Sequence, residues 1–335
     1  MPERKAKIPP TMMALRQKEA GGRLSLEEVD VPRPLRGEVL VKMDSSPINP
    51  SDLALLKGGY LQGNYPCTPG LEGSGTVVSS GAGILPRLRM GARVACSPLQ
   101  GGDGTWAEYM RTSAMNVAPL PPHISLEQGS MMLVNPMTAM AFILLARKGK
   151  HRAMVNNAAA SSLGKMLMRL CDFYGIPLIN IVRKEEQLQE LIQAGADHVL
   201  NSQSPDFASD LKKLAEQLGA TLFLDAVTGS QTKLLLNAAP AGAKLVAYAR
   251  LSGDNITADP LALITEDKTM EGFQLGNWLH TQSLPSKLLF LRRVKKHLGR
   301  ELHSTIRYRT PLKEVEAALK DYQQNMSRGK ILLKP

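Results

Sequence analysis

The chain has 335 residues, 43% hydrophobic and 21% charged, with 41 Lys and Arg against 30 Asp and Glu for a net charge of +11. That balance belongs to a globular protein of about two domains. It excludes a membrane-spanning helix, for want of about 18 consecutive apolar residues, and a disulfide framework, because Cys67, Cys96 and Cys171 are odd in number and far apart.

The opening MPERKAKIPPTMM is basic but has no apolar stretch behind it, so it reads as a solvated tail rather than a secretory signal. From there to about residue 125, short apolar or alternating runs predict strands at Leu24 to Val29, Glu38 to Met43, Gly75 to Ser79, Ala92 to Ser97 and Ala107 to Met110. Pro and Gly punctuate them, which suggests a small barrel or sandwich. From Ala153 the texture changes to alternating strands and helices. Helices are predicted at Ser162 to Phe173, Glu185 to Gln193, Phe207 to Leu218 and Gln231 to Ala238. Strands are predicted at Met154 to Asn156, Leu178 to Val182, His198 to Asn201, Leu222 to Val227 and Lys244 to Tyr248. Such alternation means βαβ units and a parallel sheet. Two amphipathic helices, Ser286 to Leu298 and Glu314 to Gln324, and a strand at Ile331 to Leu333 close the chain.

The first of these βα turns carries Ala159-Ala160-Ser161-Ser162-Leu163-Gly164. Small residues there let backbone N–H groups approach a pyrophosphate, and the helix N-terminus adds partial positive charge. Gly164 stands where helix and strand pack closely. At the tip of the second strand, a carboxylate would bond the ribose hydroxyls of NAD. This chain has Arg183-Lys184 instead, two cations that suit a 2′-phosphate, so NADPH is the expected cofactor.

Several segments resemble the medium-chain dehydrogenase/reductase superfamily over nearly the full length. They are Pro47-Ile48-Asn49-Pro50-Ser51-Asp52, Pro69-Gly70-Leu71-Glu72-Gly73-Ser74-Gly75, Gly104-Thr105-Trp106-Ala107-Glu108-Tyr109, Asn135-Pro136-Met137-Thr138-Ala139 and Asp225-Ala226-Val227-Thr228-Gly229. They look most like its quinone-oxidoreductase and 2-enoyl thioester reductase branches. The resemblance implies an α/β protein: a doubly wound Rossmann sheet (126–275) and a GroES-like β-barrel domain built from 1–125 and 276–335. It also implies a homodimer acting on a small-molecule substrate, while the cysteine usage fits a reducing, cytoplasmic setting and the scattered charge and short apolar runs speak for neither nucleic acid nor membrane as partner.

Alcohol-dehydrogenase members of that superfamily bind catalytic zinc through Cys and His where this chain has Asn49 and Leu71, so no metal is expected. Without a Lewis acid the natural acceptors are conjugated: a quinone, an enone or an enoyl thioester. By resemblance Tyr60 delivers the proton or binds the enolate, with Tyr65 the nearby competitor. Asn49 and Thr138 line the nicotinamide, Asp225 and Lys330 belong to the cofactor site, and Trp278 and Trp106 border the substrate pocket. A quinone or enone reductase and a trans-2-enoyl-CoA reductase both fit. The alternative of another class is a non-catalytic, crystallin-like NADPH binder.

Overall fold

The structure is a computed structural model that describes residues 8–58 and 64–335. Its first unit opens with β1 (Thr11–Gln17), β2 (Leu24–Asp30), β3 (Glu38–Pro47), α1 (Pro50–Leu56), β4 (Gly73–Ser80), α2 (Ile84–Arg89), β5 (Arg93–Cys96), β6 (Tyr109–Ser113), β7 (Val117–Pro119) and α3 (Leu126–Ser130). The second contains α4 (Asn135–Lys148), β8 (Ala153–Asn156), α5 (Ser162–Tyr174), β9 (Leu178–Val182), α6 (Glu185–Gln193), β10 (His198–Asn201), α7 (Phe207–Leu218), β11 (Ala220–Asp225), α8 (Ser230–Ala238), β12 (Lys244–Ala247), α9 (Pro260–Thr265), β13 (Thr269–Gly272), α10 (Leu275–His280) and α11 (Leu284–His297). The chain then returns to the first unit with β14 (Ile306–Pro311), α12 (Val315–Gln324) and β15 (Lys330–Lys334).

Alternation organises the first unit. Its main sheet runs β14-β15-β3-β4-β5-β7, with β6 added to β3, and β1 and β2 form a separate antiparallel ribbon. Successive side chains of a strand face opposite ways. Thus Val39, Val41 and Met43 of β3 join Val77, Val94 and Cys96 in one cluster, while Leu40 joins Ala14 and Ala107 in another. A third cluster gathers Leu15, Ile48, Leu53, Ile331 and Leu333 around Trp106, which is 0% exposed. Trp106 is therefore a core residue and not the pocket-lining one expected: the backbone beside it pairs with β1, turning the indole inward.

In the second unit six parallel strands lie in the order β10-β9-β8-β11-β12-β13. Val155, Ile179, Ile181, Phe223 and Leu245 form the sheet's share of a core that Leu211, Leu235 and Leu236 cover from the helices. The chain travels outward from β8 through β9 to β10, then restarts at β11 on the other side. The carboxyl ends of β8 and β11 thus mark the switch point where such sheets bind ligands.

The units divide at Val134/Asn135 and Leu302/His303 rather than near 125 and 275. Packing explains both shifts. α3 stays with the first unit, where Ser74 Oγ donates to the Leu126 carbonyl at 2.6 Å and Gln128 exchanges two bonds with Ser304. α10 and α11 stay with the second through an aromatic series: Phe142 to Phe273 at 4.9 Å, Phe273 to Trp278 at 6.2 Å and Trp278 to Phe290 at 5.1 Å.

Candidate functional site

The turn after β8 is built for close approach. Ala158 sits at φ 50°, in the left-handed region that glycine usually fills. Ser161 caps α5, its Oγ accepting the Gly164 N–H at 3.1 Å. A Cβ on Gly164 would lie 2.3 Å from the Ala159 carbonyl oxygen, so only hydrogen fits there. Ala159, Ala160 and Leu163 are buried, while Ser161 and Ser162 remain half-buried at the mouth of the 13-residue α5. A helix's first turn leaves N–H groups outside its own ladder. Small side chains and that helix end together fit a pyrophosphate.

Asn157, which sequence reasoning passed over, locks this turn to β11. Its Nδ2 donates to Asp225 Oδ1 at 2.6 Å and to Gln231 Oε1 at 3.1 Å, while its Oδ1 accepts the Ala226 N–H at 2.7 Å. Asp225 Oδ1 also accepts from the Val227 and Thr228 N–H groups, and Oδ2 from Thr232 Oγ1 at 2.7 Å. The carboxylate is fully buried and its oxygens already hold four bonds. Asp225 thus braces the turn. The polar pair Asn156-Asn157 ending an apolar strand was the available signal.

At the carboxyl end of β9, Arg183 and Lys184 are both exposed, and neither makes an ion pair among the described residues. The carboxylate that follows is engaged elsewhere: Glu185 Oε1 accepts from Gln189 at 3.0 Å and Oε2 from Asn201 at 3.4 Å.

In the first unit, Asn49 and Lys330, 281 positions apart, meet in a buried polar cluster that also holds Glu72 and Asp52. Asn49 is the N-cap of α1, and Pro50 pre-sets the first helical φ. Lys330 Nζ donates to Asn49 Oδ1 and, at 3.4 Å, to the Ile48 carbonyl, and lies 5.9 Å from the centre of the Tyr322 ring. Asn49 Nδ2 donates to Glu72 Oε1 at 3.1 Å. Glu72 Oε2 accepts the Leu133 and Val134 N–H groups at 2.8 and 3.0 Å. Asp52 accepts the Asn49 N–H at 2.8 Å and the Leu71 N–H at 3.0 Å. Burial raises the Asp52 carboxyl to about 7 and raises Glu72 too; it lowers Lys330 to about 8 despite the attraction of both acids. Lys330 therefore faces inward, because two buried acceptors, two buried acids and a ring hold its ammonium. These donors do not fit zinc: Asn49 and Leu71 offer neither thiolate nor imidazole, and Glu72 is already shared among four groups.

The remaining expected residues belong to both units. Thr138 lies in the first turn of α4 and is 8% exposed. Trp278 on α10 is half-buried between Phe273 and Phe290. Tyr60 lies outside the described residues. Tyr65 donates its hydroxyl to the Leu55 carbonyl at 3.4 Å, which ties it to α1.

Comparison with known proteins adds a family. The alcohol dehydrogenase GroES-like domain matches residues 35–122, and the zinc-binding dehydrogenase family matches 162–290. A mitochondrial enoyl-[acyl-carrier-protein] reductase of Caenorhabditis elegans is 30% identical over 263 residues, covering 76% of this chain and 74% of that protein. Its counterpart in Xenopus tropicalis is 29% identical over 331 residues, covering 92% and 91%. Among solved structures, a putative NADPH:quinone reductase of Mesorhizobium loti superimposes with a TM-score of 0.89 at 32% identity, covering 98% of this chain and all of that one.

Proposed function

The chain belongs to the medium-chain dehydrogenase/reductase superfamily, in its zinc-free branch, and from there we propose that it uses NADPH to reduce a quinone or an activated, α,β-unsaturated double bond. The observation that carries the reading is the pair of exposed cations, Arg183 and Lys184, one strand away from the small-residue turn. When bound, the reduced nicotinamide supplies the hydride. The chain's own residues do the rest. Ala159 to Gly164 and the start of α5 hold the pyrophosphate, braced by Asn157 and Asp225. Arg183 and Lys184 bind the 2′-phosphate. Asn49 and Thr138 border the nicotinamide. Charge that collects on the acceptor's oxygen needs a donor and then a proton, and Tyr60 provides one or both.

The thioester reading draws support from the mitochondrial relatives and from the partly exposed Trp278, which would border an acyl chain. Tyr60→Phe separates the two acceptors. If the substrate is an enoyl thioester, the variant loses roughly a hundredfold in kcat on a short 2-enoyl-CoA, within the ordinary range for acid–base groups. Quinone turnover alone, indifferent to the variant, would assign the quinone branch and remove Tyr60 from the chemistry. Tight NADPH binding with no turnover on any acceptor would favour the crystallin-like alternative.

We also propose a homodimer through β13. All four of its residues are exposed at the edge of the sheet, and an unpaired edge is a template for a second strand. Ile264 at 74% and Leu288 at 61% exposure add apolar surface on α9 and α11 of the same unit. Light scattering should give a dimer mass for the wild type and a monomer mass for Ile264→Lys/Met270→Lys. A wild type that is monomeric at micromolar concentration contradicts this. The three free, buried thiols suit a reducing compartment such as the cytoplasm.

Among the described residues no helix is long and apolar enough to cross a membrane.

A further inference from the structure

A side-chain amide is nearly symmetric in shape but not in polarity. Half a turn about its last bond exchanges an acceptor for a double donor. Asn49 has a charged partner at each end. The Lys330 ammonium meets Oδ1 and the Glu72 carboxylate meets Nδ2. In the reversed orientation the NH2 group would face the ammonium and the oxygen would face the carboxylate. Neither charged group can turn aside. Glu72 is held by the Leu133 and Val134 N–H groups, and Lys330 by the Ile48 carbonyl and the Tyr322 ring. All of these side chains are at most 3% exposed. The ionisable groups facing Lys330 are Asp52 on α1, Glu72 just before β4 and Tyr322 on α12.

We propose that Glu72 and Lys330 are positioning residues that hold the Asn49 amide in one polarity, and with it the first turn of α1 in the arrangement hydride transfer uses. The proposal rests on the reading that Asn49 borders the nicotinamide. A pair serving the fold alone would be replaceable by any arrangement that leaves no lone buried charge. A pair serving polarity would not: in Glu72→Gln the new amide, its oxygen held by the Leu133 and Val134 N–H groups, turns its NH2 toward Asn49 and favours the reversed orientation.

The test uses the full-length protein and compares Glu72→Gln, Lys330→Met, their double variant and Asn49→Leu. Each single change at the pair leaves a buried charge uncompensated, so Tm falls. The double variant should regain most of the Tm while its kcat stays about tenfold or more below wild type and KM for NADPH changes by no more than about twofold. Recovery of kcat together with Tm in the double variant overturns the proposal. So does a wild-type kcat in Glu72→Gln, which is nearly isosteric and keeps the test valid if the double variant does not fold. Full activity in Asn49→Leu refutes instead the placement of Asn49 beside the nicotinamide, separating that failure from failure of the clamp.

Discussion

Replacing Arg183 and Lys184 together with glutamate is expected to turn the protein from NADPH toward NADH. A 2′-phosphate offers oxygens that a guanidinium can pair in a forked geometry, and such charge-assisted bonds are roughly twice as strong as neutral ones. Both cations stand exposed at the end of β9, so solvent screens part of their effect. An NADPH:NADH preference falling by about a hundredfold is the expected outcome for the loss of two such contacts. The glutamates add repulsion of the phosphate and an acceptor for the free ribose hydroxyls of NADH. Fluorescence titration of both cofactors measures the ratio directly. An unchanged ratio would mean that the 2′-phosphate lies elsewhere, and raising the salt concentration should weaken NADPH binding more than NADH binding.

Asp52→Asn should weaken the pH dependence of stability. In the unfolded chain this carboxyl titrates near 3.8; in the folded protein it does so at about 7, because burial disfavours the charged form. Between those values the native state holds one proton more than the unfolded state. Stability therefore falls as pH rises from about 4 to about 7, by roughly 1.4 kcal/mol for each pH unit from this group alone. Glu72, also raised by burial, adds to that fall above its ordinary value of 4.5. Lys330 acts oppositely, because its folded value of about 8 lies below the ordinary 10.5: across that interval the unfolded state binds the extra proton and stability rises. The cluster contributes least near pH 7 to 8. In the variant, the amide nitrogen can no longer accept one of the two backbone N–H groups, costing roughly 1–2 kcal/mol at pH 5. Yet the decline from pH 5 to 7 should shrink by about the contribution of one proton. Urea denaturation at several pH values reads this. A decline of wild-type steepness in the variant would place the retained proton on another group.

Much of the second unit was legible because its signals are local. α6, β9, β10 and α7 have the bounds expected from the sequence, since each is an apolar run or stripe bounded by polar or glycine residues. Gly219 ends α7, and Gly175 ends α5 one residue past its expected limit, both in the left-handed conformation of a helix C-cap. β13 went unread because all four of its residues are exposed and no alternation betrays it. The turn and the two cations were found from spacing, but the bracing role of Asp225 was not, since a motif names a residue and not the direction its carboxylate faces. Trp106, placed at the pocket by resemblance, lies in the core because the backbone beside it pairs with β1, which no local signal announces. Glu72 and Asp52 could not have been chosen from composition, because their importance comes from burial beside a lysine far away in the chain.

The reaction proposed for this protein is metal-free reduction of a conjugated acceptor by NADPH. Its most direct test is the disappearance of NADPH absorbance when the purified protein, in the presence of a chelator, meets a short 2-enoyl-CoA or a small quinone. The prediction is turnover of at least one acceptor, undiminished by the chelator and faster with NADPH than with NADH. Turnover that vanishes with the chelator and returns with zinc, or that runs better with NADH, would contradict it.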